Sequence, residues 1–189
     1  MALPAWLLLY AIAAAMILLV EGRPIHHKSV RVGPGGRDIR VIKLRTMRPD
    51  ADSSLATILA ADPALDQEFR ETFKLRRDPR ITGLGYWLRK FSVDEIPQLV
   101  NVLRGDMSLV GPRPVLRSEL EEYYGDVGST VLRVRPGLTG LWQVSGRSLL
   151  PYETRVQLDL KYVATCTLVG DFVILLRTIP CVIKGDGAC

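Results

Sequence analysis

The chain has 189 residues, enough for one domain with a buried core plus an appendage. Lysine and arginine outnumber aspartate and glutamate by 25 to 20, and the net charge of +5 points to anionic partners: phosphates, nucleic acid or an acidic membrane face. Three cysteines, Cys166, Cys181 and Cys189, are odd in number and lack metal-ligand spacing, which argues against a disulfide framework and for a reduced compartment.

From Met1 to Val20 no residue is charged, and Leu3 to Val20 is nearly all aliphatic. As a helix at about 1.5 Å per residue this run reaches roughly 30 Å, the thickness of a bilayer core. A secretory signal would carry Lys or Arg before the apolar run, and a buried core helix is usually shorter and less uniform. The run therefore predicts a membrane-inserted helix over 1–22 and a second unit over 23–189. Its basic flank, with Arg23, His26, His27, Lys28 and Arg31, places that second unit on the cytoplasmic side. Pro4 permits a kink, and in a chain extended upstream it would be the bend of a helix that dips in and returns.

Residues 30–46 alternate around Gly33-Pro34-Gly35-Gly36 and predict a β-hairpin ending at Lys43 and Arg45. Taken alone, those two cations fit a solvated edge strand. Asp50 to Leu75 reads as helical, with Asp62-Pro63 as a cap and first-turn proline, and as a lid or surface arm. Lys74 to Arg80 reads as a solvated basic turn. Gly83 to Phe91 reads as a short helix carrying Arg89 and Lys90.

The stretch Ser92 to Pro114 combines several signals. Asp94 and Glu95 stand at a helix start, and Ile96, Leu99, Val100 and Leu103 follow at helical spacing. Ser92 and Glu95 fit a capping box, whereas Pro97 fits a later start with Asp94 as the cap. Gly105 can supply the left-handed stop, and Gly111-Pro112-Arg113-Pro114 is a stiff turn that aims one arginine. Acids at a helix start stabilise it by about 0.3–1 kcal/mol with no function at all.

Glu119 to Tyr124 reads as helical. Arg133 to Arg147 is loop-rich, with three arginines, no acid, and glycines that let the backbone approach a ligand. Tyr152 to Val163 is an amphipathic helix carrying Asp159. Leu168 to Ile183 is an apolar helix interrupted by Pro180, too mixed to span a bilayer but suited to its surface.

An anchor, a carboxylate pair and several phosphate-suited arginines in one chain suggest phosphate chemistry at a bilayer surface. A helix N-terminus would lower the pKa of Asp94 and keep it ionised. An ionised aspartate can attack phosphorus and form an acyl phosphate. Bringing it to a diphosphate needs counter-charge, which Mg²⁺ held by Asp94 and Glu95, together with arginines, would provide.

The motifs Lys43-Leu44-Arg45-Thr46-Met47, Asp78-Pro79-Arg80-Ile81-Thr82, Leu88-Arg89-Lys90, Asp94-Glu95-Ile96-Pro97-Gln98-Leu99, Arg104 through Pro114 and Arg135 through Arg147 resemble those of the bacterial sugar transferases. These are monotopic polyprenyl-phosphate phosphoglycosyl transferases, which initiate surface-glycan and exopolysaccharide assembly at the bacterial inner membrane. The resemblance covers essentially residues 4–189. It implies a transfer of sugar-1-phosphate from a UDP-sugar to undecaprenyl phosphate, with Asp94 as nucleophile, an aspartyl-phosphosugar intermediate, and release of UMP. It further implies that Glu95 assists with Mg²⁺, that Lys43, Arg89 and Arg113 bind phosphate, that Arg147 lies near the nucleotide, and that Asp159 is a family acid. Two departures stand at the front. The family's Ser-Pro break, preceded by basic residues, is represented by Leu3-Pro4, and its aromatic-Gln-Glu-Arg-Val-Gly entry keeps only Arg31-Val32-Gly33.

The expected fold is thus α+β and predominantly helical. It has an N-terminal membrane-inserted helix (half of a re-entrant hairpin), a short β-hairpin, and amphipathic helices around a membrane-surface active site. The expected partners are a UDP-sugar, polyprenyl phosphate, membrane lipid and a second copy of the chain. Nucleic acid is not among them, because no aromatic-interleaved basic helix is present. The competing reading is a membrane-attached adaptor that binds nucleotide sugar or anionic glycan without turnover.

Overall fold

A computed structural model describes residues 2–73, 75–185 and 187, so Lys74 of the basic turn and the terminal Cys189 lie outside the described residues. The chain is mostly helical, with two two-stranded sheets. Helix α1 (Ala2–Val20) is the expected apolar helix. Among the described residues, no helix is long and apolar enough to cross a membrane. Leu7, Leu8, Leu19 and Val20 are exposed on α1, yet Ala13 and Ile17 are buried against the rest of the chain. The helix is therefore docked as well as apolar.

Strands β1 (His26–Val32) and β2 (Asp38–Leu44) pair antiparallel, with His26 opposite Leu44 and Val32 opposite Asp38. The hairpin is the expected one, though β1 begins at His26, before the alternation of valines becomes visible. Alternate residues of β2, Ile39 and Val41, face inward onto Met107.

Helices α2 (Ala51–Ala61) and α3 (Pro63–Thr72) divide at Asp62, whose carboxylate accepts from the Ala64 N–H at 2.9 Å as a cap should. The turn after α3 corrects the expectation of a solvated charge run. Arg80 is buried, its Nη2 and Nε donating to the two oxygens of Asp78 at 2.6 and 2.8 Å and its Nη1 to the Ala51 carbonyl at 3.2 Å. An adjacent acid on the same turn lets this cation be buried in a fork. Helix α4 (Gly83–Lys90) follows, capped by Thr82 Oγ1 accepting from the Gly85 N–H at 2.9 Å.

The Ser92–Leu103 stretch is not one capped helix. Val93–Glu95 form a single tight 3-10 turn, and α5 (Gln98–Leu103) starts only after Pro97. Ser92 has a left-handed φ of 55° and makes no capping bond, so neither capping arrangement forms. Pro97 lacks an N–H and clashes with a preceding helical turn, which is why the helix restarts behind it. Asn101 on α5 pins this helix to β2, its side chain donating to the Arg40 carbonyl at 2.8 Å and accepting from the Ile42 N–H at 3.1 Å. Gly105 ends the segment at φ 77°, as its position predicts.

Strand β3 (Ser108–Val110) then pairs in parallel with β4 (Gly137–Thr139), a sheet that three-residue strands leave without a readable period. The connection between them holds α6 (Arg117–Glu119), continued as a π-turn over Leu120–Tyr124, and α7 (Gly128–Val131). Helices α8 (Tyr152–Thr165) and α9 (Leu168–Lys184) close the fold. Pro180 does not interrupt α9, which runs through it, and Leu168, Val169, Phe172, Leu176, Ile179 and Ile183 form an exposed apolar face.

Candidate active site

The candidate residues come from four elements: β2, α4, the Val93–Glu95 turn and the turn that follows β3. Val93 and Ile96 bracket the Asp94–Glu95 pair and belong to one apolar cluster with Ala13 and Ile17 of α1, Leu44 of β2 and Leu88 of α4. The pair is thus held from below by packing on both sides. Lys43 of β2 donates to Glu95 Oε1 at 2.7 Å, and Arg113 reaches the same oxygen at 3.2 Å. Arg113 is fixed in turn by the β3–β4 sheet. Gly111 N–H donates to the Thr139 carbonyl at 2.9 Å and Gly137 N–H to the Pro112 carbonyl at 2.7 Å, so backbone bonds tie down the turn just before the arginine. Arg89 of α4 donates from Nε to Thr46 Oγ1 at 2.9 Å, and its charge acts on Asp94.

The two carboxylates are in different states. Burial would push Glu95 up, but the adjacent Lys43 and Arg113 outweigh it and hold Glu95 below the usual carboxylate range. Asp94 is only 5% exposed and receives no hydrogen bond among the described residues. Burial pushes its carboxyl up to about 6, the Glu95 charge adding to this and Lys43, Arg89 and Arg113 opposing it. This reverses the expectation of a lowered value. A single 3-10 turn over Val93–Glu95 supplies no aligned helix dipole at Asp94, so desolvation decides. Near neutral pH the group is still mostly ionised. It is a buried carboxylate with cations nearby and, among the described residues, no donor of its own.

Asp159 lies in a second, adjoining charge cluster on α8. Tyr124 donates its hydroxyl to Asp159 Oδ2 at 2.7 Å, and burial raises the Asp159 carboxyl to about 6 against the pull of Arg155. Arg155 is buried one helical turn away, its Nε 3.9 Å from Asp159 and its Nη1 3.8 Å from Glu119, which also accepts from the Tyr152 hydroxyl at 2.9 Å. The Trp142 ring joins the clusters. Arg155 sits 4.8 Å from its centroid and Arg113 5.8 Å. Arg147 is the one candidate not brought in: it occupies a left-handed turn at φ 52°, and no ion pair or side-chain hydrogen bond among the described residues links it to Asp94 or Glu95.

Comparison with known proteins places the chain in a family. The family described as bacterial sugar transferase matches residues 1–185. The chain belongs to that family. A UDP-galactose-lipid carrier transferase of Erwinia amylovora is 50% identical over 167 residues, 88% of this chain and 35% of that protein. An undecaprenyl-phosphate galactose phosphotransferase of Salmonella typhimurium is 48% identical over 168 residues, 89% of this chain and 35% of that protein. The exopolysaccharide production protein ExoY of Sinorhizobium fredii is 43% identical over 180 residues, 95% of this chain and 79% of that protein. The chain therefore spans about a third of the first two relatives and most of the third.

Within this bacterial sugar transferase, Thr46, Trp142, Arg155 and Glu119 stand at or beside the site without having been legible from spacing alone. The i, i+4 spacing of Arg155 and Asp159 carries a signal for α8, whereas Thr46 lies past the end of β2, where alternation carries none. Nothing local marks Glu119 or Trp142. For a metal, no group of three or more His, Cys, Asp or Glu among the described residues could hold an ion. Asp94 and Glu95 nevertheless fit Mg²⁺, which takes one or two carboxylates and completes its shell with substrate phosphates and water. Both cations on Glu95 use Oε1, and Asp94 has no donor among the described residues.

Proposed function

We propose that this chain transfers sugar-1-phosphate from a UDP-sugar to a polyprenyl phosphate through a phosphosugar bound to Asp94. The observation that carries the reading is the buried, donor-free Asp94 carboxylate beside a Glu95 already neutralised by Lys43 and Arg113. An oxygen of Asp94 attacks the phosphorus nearest the sugar, the bond from that phosphorus to the bridging oxygen breaks, and UMP leaves with the electron pair. An oxygen of the lipid phosphate then attacks the same phosphorus, displaces Asp94 as a free carboxylate and yields a polyprenyl-diphosphate sugar.

Desolvation of Asp94 removes the water shell that would blunt its nucleophilicity, while Lys43, Arg89 and Arg113 keep it ionised enough to react. Arg113, set by backbone bonds at Gly111 and Pro112 just before it, and Arg89, held by Thr46, supply fixed positive charge where the phosphoryl oxygens must lie. Asp94 and Glu95 would hold Mg²⁺, which when bound neutralises diphosphate charge beside the carboxylates. The similarity of the chain to a UDP-galactose-lipid carrier transferase and an undecaprenyl-phosphate galactose phosphotransferase supports these substrates.

The same reading puts the protein at the cytoplasmic face of the inner membrane. The exposed apolar surface of α1 and the apolar face of α9 support the membrane contact, since both can enter one leaflet without crossing. The test is single-turnover UMP release from UDP-sugars in membranes carrying the chain, with no lipid acceptor. A stoichiometric burst that is lost in Asp94→Asn is expected. UDP-sugar binding with no release under any condition, Mg²⁺ included, would instead favour the adaptor.

A further inference from the structure

The segment Lys43–Thr46, which runs out of the end of β2, faces two ways. Lys43 bonds to Glu95, and Thr46 Oγ1 accepts from Arg89, so two of its four residues set cations of the site. The other two face α1. Leu44 is packed in one cluster with Ala13 and Ile17. Arg45 donates from Nη2 to the main-chain oxygens of Glu21 and Gly22 at 2.9 and 3.0 Å, with the Glu21 carboxylate 3.7 Å away. These acceptors lie just past the C-terminus of α1, the negative end of its dipole, where a cation is favoured. The Arg45 N–H also donates to the Ile25 carbonyl at 2.8 Å, closing the segment that leads out of the helix.

Arg45 is 5% exposed, and its Nε and Nη1 are buried without a hydrogen-bond partner. A guanidinium half-satisfied in the interior is poorer for stability than an apolar side chain of the same size, so stability alone does not account for it. Its place between Lys43 and Thr46 does. Val93 and Ile96, which bracket the carboxylates, belong to the same apolar cluster as Leu44, Ala13 and Ile17.

We infer that Arg45 is a positioning residue that locks the end of α1 to the end of β2, which carries Lys43, and to Thr46 just past it, so that the seat of the N-terminal helix is transmitted to the cations around Asp94 and Glu95. The inference rests on the reading of that pair as the reacting site. A shift of α1 within a lipid leaflet moves the strand end with it, and displacement of about 1 Å at a reacting centre can cost on the order of a hundredfold in rate.

The experiment uses the full chain in membranes. Arg45→Met leaves Glu21 buried without its partner, so the double variant Arg45→Met with Glu21→Gln removes both charges and separates folding from positioning. In that double variant the rate of UMP release per folded molecule falls at least tenfold while the KM for the UDP-sugar stays within about threefold, and Arg45→Lys recovers part of the rate. Amide hydrogen exchange in the same variants quickens at Lys43–Thr46 and Val93–Ile96 while Gly137–Thr139 is unchanged. Wild-type rate and exchange in the double variant would overturn the inference. So would a rate loss that only follows the folded fraction, with lysine no better than methionine. If the wild-type chain itself releases no UMP, the functional reading fails, and the exchange measurement still decides whether Arg45 holds the site.

Discussion

Lys43 Nζ lies 2.7 Å from Glu95 Oε1, while Asp94, one residue earlier in the chain, has no such partner among the described residues. Two adjacent carboxylates are thereby driven apart in pKa. Glu95 is held low by Lys43 and Arg113 despite burial, and Asp94 is pushed up to about 6 by burial. Such divergence is how neighbouring acids acquire different roles.

Removing Lys43 tests this division. In Lys43→Met, Glu95 keeps only Arg113 as a compensating cation and its carboxyl rises. Loss of one of two partners from a partly buried carboxylate is expected to destabilise the fold by roughly 2 kcal/mol, less than the 3–5 kcal/mol of a pair broken outright. Chemical denaturation of Lys43→Met, Glu95→Gln and the double variant measures it. A coupling energy near zero in that cycle would show that the two side chains do not interact in solution.

The raised value of Asp94 makes a signed prediction about pH. A carboxyl whose folded pKa, about 6, exceeds its ordinary 3.8 contributes stability that is present below the lower value and lost as pH rises through the higher. Asp94→Asn is therefore expected to stabilise the protein above pH 7, by up to about 3 kcal/mol, and to match the wild type near pH 4. UMP release by the wild type should rise with an apparent pKa near 6. Because Asp159 is also raised to about 6, the profile is assigned with Asp159→Asn, which should leave the activity midpoint in place. Melting curves at pH 4 and pH 8 with equal Asp94→Asn offsets would contradict the assignment.

Much of this site is visible in the chain before folding, and the reasons for the rest are physical. Local patterns predict the hairpin that carries Lys43, the short helix that carries Arg89 and the stiff turn that carries Arg113, but taken alone Lys43 reads as a solvated edge cation, whereas it bonds to Glu95. The helix start at Asp94 is misread because Ser92 and Glu95 match a capping pattern that the αL conformation of Ser92 rules out. The direction of Asp94's pKa goes wrong for a different reason, since the burial that raises it is a tertiary effect. Arg80 is misread because a charge run looks solvated until Asp78 folds onto it. The β3–β4 sheet and the Trp142–Arg155 contact join segments far apart in the chain, and no local period announces either.

Gly137 offers a test of how Arg113 is held. A Cβ there would collide with the backbone of Gly111, which lies two residues before the arginine. Gly137→Ala must push β3 and β4 apart, and overpacking of this kind costs typically about 1–3 kcal/mol. The expected result is a folded, less stable protein with a raised KM for the UDP-sugar, because Arg113 is displaced from Glu95. An unchanged KM alongside the lowered stability would mean that Arg113 finds its place without the sheet.

Arg155 is a buried cation on two aromatic faces, those of Trp142 and Tyr152, each at 4.8 Å, with Glu119 and Asp159 as its acids. Arg155→Met leaves Asp159 in the interior without its cation, while Glu119 keeps Arg31 at 3.6 Å, and a loss of about 3–5 kcal/mol is expected, measured by thermal or chemical denaturation. Adding Asp159→Asn should return part of it, since the stranded charge is then gone. A double variant no more stable than Arg155→Met would show that packing on Trp142 and Tyr152, not charge, is what Arg155 contributes.

The face of α9 carries the last prediction. Leu168 is 89% exposed, and Phe172, Leu176, Ile179 and Ile183 repeat behind it at helical spacing, an apolar stripe that water disfavours at roughly 25 cal/mol per Å². If this stripe lies in the lipid interface beside α1, Phe172→Glu with Leu176→Glu places two charges there. Retention on vesicles of anionic lipid is expected to fall at least tenfold, while the rate of UMP release in detergent stays near that of the wild type, because neither residue touches the Asp94 cluster. Unchanged retention would leave α1 as the whole of the membrane contact, and the stripe on α9 would then have to face protein.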